Sequence, residues 1–220
     1  MNRRFLAASA AALLASAAQA GPVTVIWSGT VTSGADYAGL FADPFTDMTG
    51  AQFVAIYQFD PAKGVTAGAS TLAQAYGGTS RGVESPSLGA TFSINGHSVS
   101  FTGAYFGQIY DFETHFDSQQ SSEADDGDGV GMMNAVFDEE DRSYGDPSLA
   151  NFSGDVSDAG YNFGWFSSGP DIGSTNLVLQ NQHVRITSGL VPEPASWAMM
   201  VGGFVLIGSA MRRRPRVRFA

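Results

Sequence analysis

The chain has 220 residues, no cysteine, and 21 acidic residues against 11 basic ones, a formal net charge of −10. Without cysteine there is no disulfide framework, thiol nucleophile or cysteine-based zinc site, and the length leaves room for one domain once terminal segments are set aside. The charge is segregated: residues 21–191 hold 20 of the acidic residues and only four basic ones, Lys63, Arg81, Arg142 and Arg185, so this body is −16 and repels a nucleic-acid backbone.

The N-terminus opens with Arg3 and Arg4, continues through an apolar, alanine-rich run from Phe5 to Ala18, and reaches Ala18-Gln19-Ala20. A positive region, an apolar region and a small-x-small site in that order predict a secretory signal peptide over 1–20, cut by signal peptidase after Ala20. Gly21 to Val31 is β-branched and aromatic with partial alternation and predicts a first strand. Thr32 to Gly50 is broken by Gly, Asp and Pro and reads as a long connection, with Leu40, Phe41 and Phe45 as buried anchors. Ala51 to Phe59 predicts a second strand with Phe53, Ala55, Tyr57 and Phe59 on one face, stopped by Asp60-Pro61.

Lys63 to Ser87 is small and polar and reads as a loop, with one helical turn around Thr71 to Tyr76. Ala90 to Ile94 and His97 to Phe101 alternate on either side of Asn95-Gly96, a dipeptide that accepts the two positive φ angles of a type I′ turn, so 90–101 is a hairpin. Ala104 to Phe116 predicts a strand, Asp117 to Gly129 a polar interruption, and Val130 to Phe137 a strand before the charged turn Asp138 to Asp141. Asp146 to Gly160 reads as loop with a short strand near Leu149 to Phe152. Tyr161 to Phe166 reads as an exposed aromatic cluster ended by Gly169-Pro170, and Asn176 to Thr187 as a final strand or hairpin. No long period-3.6 run interrupts these strands, so 21–190 is expected to be one all-β domain, a β-sandwich or jelly roll.

The chemistry-bearing residues are few. Asp125, Asp126 and Asp128 supply hard oxygen ligands suited to Ca²⁺, but no EF-hand register fits: counting from Asp126, position 5 is Val130 and position 12 is Phe137. A solvated acidic loop is the preferred reading, a non-standard Ca²⁺ loop the alternative, and no other cofactor is expected. His97, His115 and His183 share no metal-ligand spacing, and no Gly-x-Ser-x-Gly elbow occurs. Tyr161 and Trp165 are the candidate glycan contacts, flanking Asn162 and Gly164.

The C-terminal block 191–220 has three parts: Val191 with Pro192-Glu193-Pro194, an apolar span from Ala195 to Met211, and a basic tail, 212–220, with Arg212, Arg213, Arg214, Arg216 and Arg218. The 17-residue span would reach about 25 Å as a helix, enough for a thin bilayer core. Trp197 suits the interface, Met199, Met200, Phe204 and Leu206 suit the apolar interior, and the arginines stay cytoplasmic. Pro192 and Pro194 keep the entry to the span extended, as a protease requires of its substrate.

Motif, span and basic end, in this order behind a signal peptide, resemble the PEP-CTERM sorting signal, a tail also labelled an ice-binding-protein C-terminal domain. The resemblance implies a Gram-negative bacterium, recognition by an exosortase at the inner membrane, and removal of the tail near Pro192-Glu193-Pro194. It also implies delivery to the envelope surface or matrix and a link to exopolysaccharide and biofilm. It covers about thirty residues and assigns no activity to 21–190. The expected protein is therefore exported and non-enzymatic. The alternatives are a carbohydrate-binding module, with or without Ca²⁺, and then a glycoside-acting hydrolase with a carboxylate pair.

Overall fold

The structure, a computed structural model, describes residues 21–69, 72–78, 82–112, 115–124, 129–137, 152–169 and 173–188. Ala18, Ala20, Asp125, Asp126, Asp128 and the whole block 191–220 lie outside the described residues.

The described residues are all-β, with no helix among them. Thirteen strands form one antiparallel sheet: β1 (Val23–Asp36), β2 (Thr46–Asp47), β3 (Gln52–Phe59), β4 (Val65–Ala69), β5 (Leu72–Gly77), β6 (Ser87–Ile94) and β7 (His97–Phe101). They continue with β8 (Gly103–Phe112), β9 (His115–Ala124), β10 (Val130–Phe137), β11 (Phe152–Asp155), β12 (Tyr161–Ser168) and β13 (Asn176–Ser188). The order across the sheet is β4-β5-β8-β9-β10-β12-β13-β1-β3-β6-β7, with β11 on β13 and β2 on β1.

The sheet curls into a half-barrel, and its inner face is the core. Every second residue from Val23 to Val31 points inward and is buried, as are Phe53, Ala55, Tyr57 and Phe59. Phe92 of β6 stacks on Phe166 of β12 at 4.4 Å, and Phe59 of β3 on Tyr105 of β8 at 4.7 Å, so strands far apart in the order face each other. Curvature enters where β1 and β13 slip register, between Ser28 and Gly29 and between Val31 and Ser33. At the first slip β13 carries an extra residue, so its buried positions change from Leu177, Leu179 and Asn181 to Val184 and Ile186. Gly29 is required there, because a Cβ on it would lie 2.0 Å from the Gln180 carbonyl oxygen.

The connection after β1 is pinned by Asp36, which is fully buried. Its carboxylate accepts hydrogen bonds from the amides of Leu40, Phe41 and Ala42 and from the Thr175 hydroxyl, at 2.6–2.9 Å. Burial works to raise its pKa, but these four donors prevail and hold it below the ordinary carboxylate value. The clamp drives Phe41 onto Phe92 and Phe166, with ring centroids 5.6 and 5.4 Å away.

Several expectations need correction. β1 runs on to Asp36, past the Val31 boundary, since the second slip lets it continue with the opposite parity. Phe45 is 75 % exposed in a left-handed turn, edge-on to Tyr37, and is no anchor; Leu40 is partly buried. The segment read as loop with a helical turn holds the hairpin strands β4 and β5. The polar interruption is β9, in register with β8 and β10. The short strand falls at Phe152–Asp155, the aromatic cluster is strand β12, and β13 is one strand. The hairpin 90–101 stands: Asn95 and Gly96 have φ of 53° and 82°, and Phe92 pairs with Val99.

Candidate functional site

Tyr161 and Trp165 lie on β12 with Phe163 between them, all three on the outer, convex face of the sheet. Alternation puts them there, because Gly164 and Phe166 occupy the inner face. Tyr161 is 52 % exposed, while Phe163 and Trp165 are half-buried. Tyr161 lies 5.4 Å from Phe137 and 6.4 Å from Phe163 between ring centroids. Register extends the row across the sheet: Trp165 stands opposite Met133 and Val178, Met133 opposite Ser121, Ser121 opposite Phe106, and Phe106 opposite Tyr76. Beside it the Gln108 amide donates to Gln119 at 3.4 Å, and the Gln119 amide reaches the Met133 sulfur at 3.5 Å. The result is a ribbon of apolar side chains edged by amides, whose chemistry is stacking and neutral hydrogen bonding.

The inner face carries a second polar group that sequence reasoning missed. Trp27 donates its indole N–H to the Gln120 side chain at 2.6 Å. Tyr57 donates to Asn134 at 2.8 Å, and the Asn134 amide donates to Asn181 at 2.7 Å. Asn181 in turn donates to the carbonyls of Ala135 and Phe163. Ser118, Gln120 and Ser122, all inward on β9, are buried too. Burial pushes the phenols of Tyr57 and Tyr105 well above the usual tyrosine value, Tyr57 further through its neighbour Tyr105, so both stay neutral. The network fastens the two halves of the sheet to each other.

A third place lies on the outer face where β11, β13 and β1 adjoin. A cavity of 660 Å³ is walled by Ile26, Ser28, Ser153, His183, Arg185 and Thr187, among others. The Ser153 hydroxyl and His183 Nε2 are 2.9 Å apart. Register explains the grouping: Ser153 pairs with Arg185, Asp155 with His183, Ile26 with Arg185, and Ser28 with His183. Asp155 is turned onto Ser157, accepting from its hydroxyl and its amide at 2.5 and 2.9 Å. Those two bonds, the hydroxyl's first, hold its pKa below the ordinary value and outweigh the opposing effect of burial. Only the bulge in β13 brings His183 and Arg185 to this face, and no spacing in the sequence marks it.

Among the described residues no group of three or more His, Asp or Glu is placed to hold a metal, and His97 is exposed at the hairpin tip. No described helix is long and apolar enough to cross a membrane. Compared with known protein families, curated proteins and solved structures, the chain matches none.

Proposed function

We propose that this chain is an exported, non-enzymatic protein of the cell surface or extracellular matrix of a Gram-negative bacterium, sorted by an exosortase and associated with exopolysaccharide. One observation carries the reading: Pro192-Glu193-Pro194, the apolar span 195–211 and the arginines from Arg212 follow one another in the order of a sorting signal, in a sequence where Arg3, Arg4, the apolar run 5–18 and Ala18-Gln19-Ala20 read as a signal peptide. In this reading the span is a transient anchor in the inner membrane, and the −16 body is the exported part. The body is a sandwich whose two layers are continuous through β13 and β1; the stacking of Phe92 on Phe166 across the core supports it. Replacing Pro192, Glu193 and Pro194 together with alanine is expected to abolish C-terminal processing and leave the protein in the membrane fraction. Unchanged processing and surface delivery would sink the proposal.

A second reading, a carbohydrate-binding module, is favoured by the ribbon of Tyr161, Phe163 and Trp165 beside the Gln108 and Gln119 amides. It ranks second because the ribbon lies on a convex face, where stacking covers one side of a sugar only. Trp165→Ala is expected to remove retention on insoluble polysaccharide in a pull-down. Equal retention of variant and parent would dispose of it.

A further inference from the structure

We propose that the cavity between β11, β13 and β1 binds an acidic sugar unit, its carboxylate on the Arg185 guanidinium and its hydroxyls on the Ser153–His183 pair and Ser28.

The electrostatics single out Arg185. Among the described residues the only Lys or Arg side chains are Lys63 and Arg185. Lys63 is paired with Glu84 at 3.5 Å, and among the described residues no carboxylate lies within ion-pair distance of Arg185. Among the described residues the nearest carboxylate by register is Asp155, whose Oδ1 accepts from both the amide and the hydroxyl of Ser157. A guanidinium with no carboxylate on it among the described residues offers five donors and no acceptor in a planar fork that matches a carboxylate.

The neighbouring groups add donors whichever tautomer His183 adopts. If the Ser153 hydroxyl donates to Nε2, the second ring nitrogen keeps an N–H; if Nε2–H donates to the hydroxyl, the hydroxyl proton is released toward a ligand. The site therefore asks for acceptors, one of them charged. The hydroxyls of Ser28 and Ser153 and the half-exposed side chain of Ile26 suit a ring that carries several hydroxyls and one apolar face. The 660 Å³ volume falls within the range of about 300–1,000 Å³ usual for small-molecule sites and admits one or two pyranose rings. A bare small anion would satisfy Arg185 and leave the rest of the cavity unfilled.

The test is isothermal titration of the purified full chain in mild detergent with glucuronate, glucose, acetate and inorganic phosphate. Glucuronate is expected to bind saturably, with glucose, acetate and phosphate each weaker by about tenfold, since each lacks either the charge or the ring. Arg185→Gln is expected to weaken glucuronate by about tenfold or more, with Arg185→Lys, which keeps the charge and loses the fork, falling between. Arg185 is exposed, so both variants are expected to keep the parent melting temperature. No saturable heat, equal binding of glucose, binding of phosphate or acetate as tight as glucuronate, or full binding by Arg185→Gln would each overturn the proposal. The titration does not depend on the tail, so its failure would leave the sorting proposal standing, and loss of sorting would leave this site standing.

Discussion

Asp36 commits one buried carboxylate to four donors, and removing it strands all four. Asp36→Ala is expected to cost about 3 kcal/mol or more in urea denaturation at neutral pH, because three amides and a hydroxyl lose their acceptor. Since its folded pKa is lowered, the stabilisation is complete above the unfolded value near 3.8 and is lost as pH falls through the folded one. The native chain is therefore expected to lose stability on acidification below about pH 4, with a shallower loss in Asp36→Ala. An acid limb of equal slope in both proteins would show that Asp36 is not the group responsible. None of this was legible in the sequence, where Asp36 sits in a stretch rich in Gly, Asp and Pro. Its principal partner, Thr175, is more than a hundred residues away. His183 and Arg185 were hidden for a related reason, since the extra residue in β13 moves them to the outer face.

At the scale of the element, two glycines with different duties separate local from long-range constraint. Gly96 has a φ of 82° at the hairpin tip, and a Cβ there would meet nothing within 4 Å. Gly96→Ala is expected to cost only the left-handed backbone penalty, about 1–2 kcal/mol, or a few degrees in melting temperature. Gly29→Ala must push β1 away from β13 at the slip, where the Gln180 carbonyl lies 2.0 Å from the new carbon, and is expected to cost more than Gly96→Ala. Comparable melting temperatures for the two variants would contradict this assignment. The same division governs what could be read beforehand. The hairpin was legible because its signal is contained in Asn95-Gly96 and the alternation beside it. β9 was not, because both of its faces are polar: Gln119 and Ser121 face outward, and Ser118, Gln120 and Ser122 face a core that satisfies Gln120 through Trp27. The hairpin of β4 and β5 was obscured by small residues that suit a sheet margin as well as a loop.

For the molecule as a whole, composition and turn spacing were sufficient for an all-β body, since that inference needs only the absence of helical periodicity. They could not reveal that one sheet curls round to face itself, because curvature resides in two register slips and in contacts between rings remote in sequence. The central seam has a consequence for timing. β1 pairs with β13 along its length, Val23 opposite Ser188, so the first described strand waits for the last during folding. β1, β3, β6 and β7 are neighbours in the sheet and all lie within 23–101, so they can assemble early, but the other flank of β1 stays open until 176–188 arrives. Long-range closure of this kind is slow and leaves a pairing edge bare meanwhile. Because β13 is the last described strand, a chain interrupted before Asn176 leaves the seam unzipped, and the sheet closes on β1 only once 176–188 is in place.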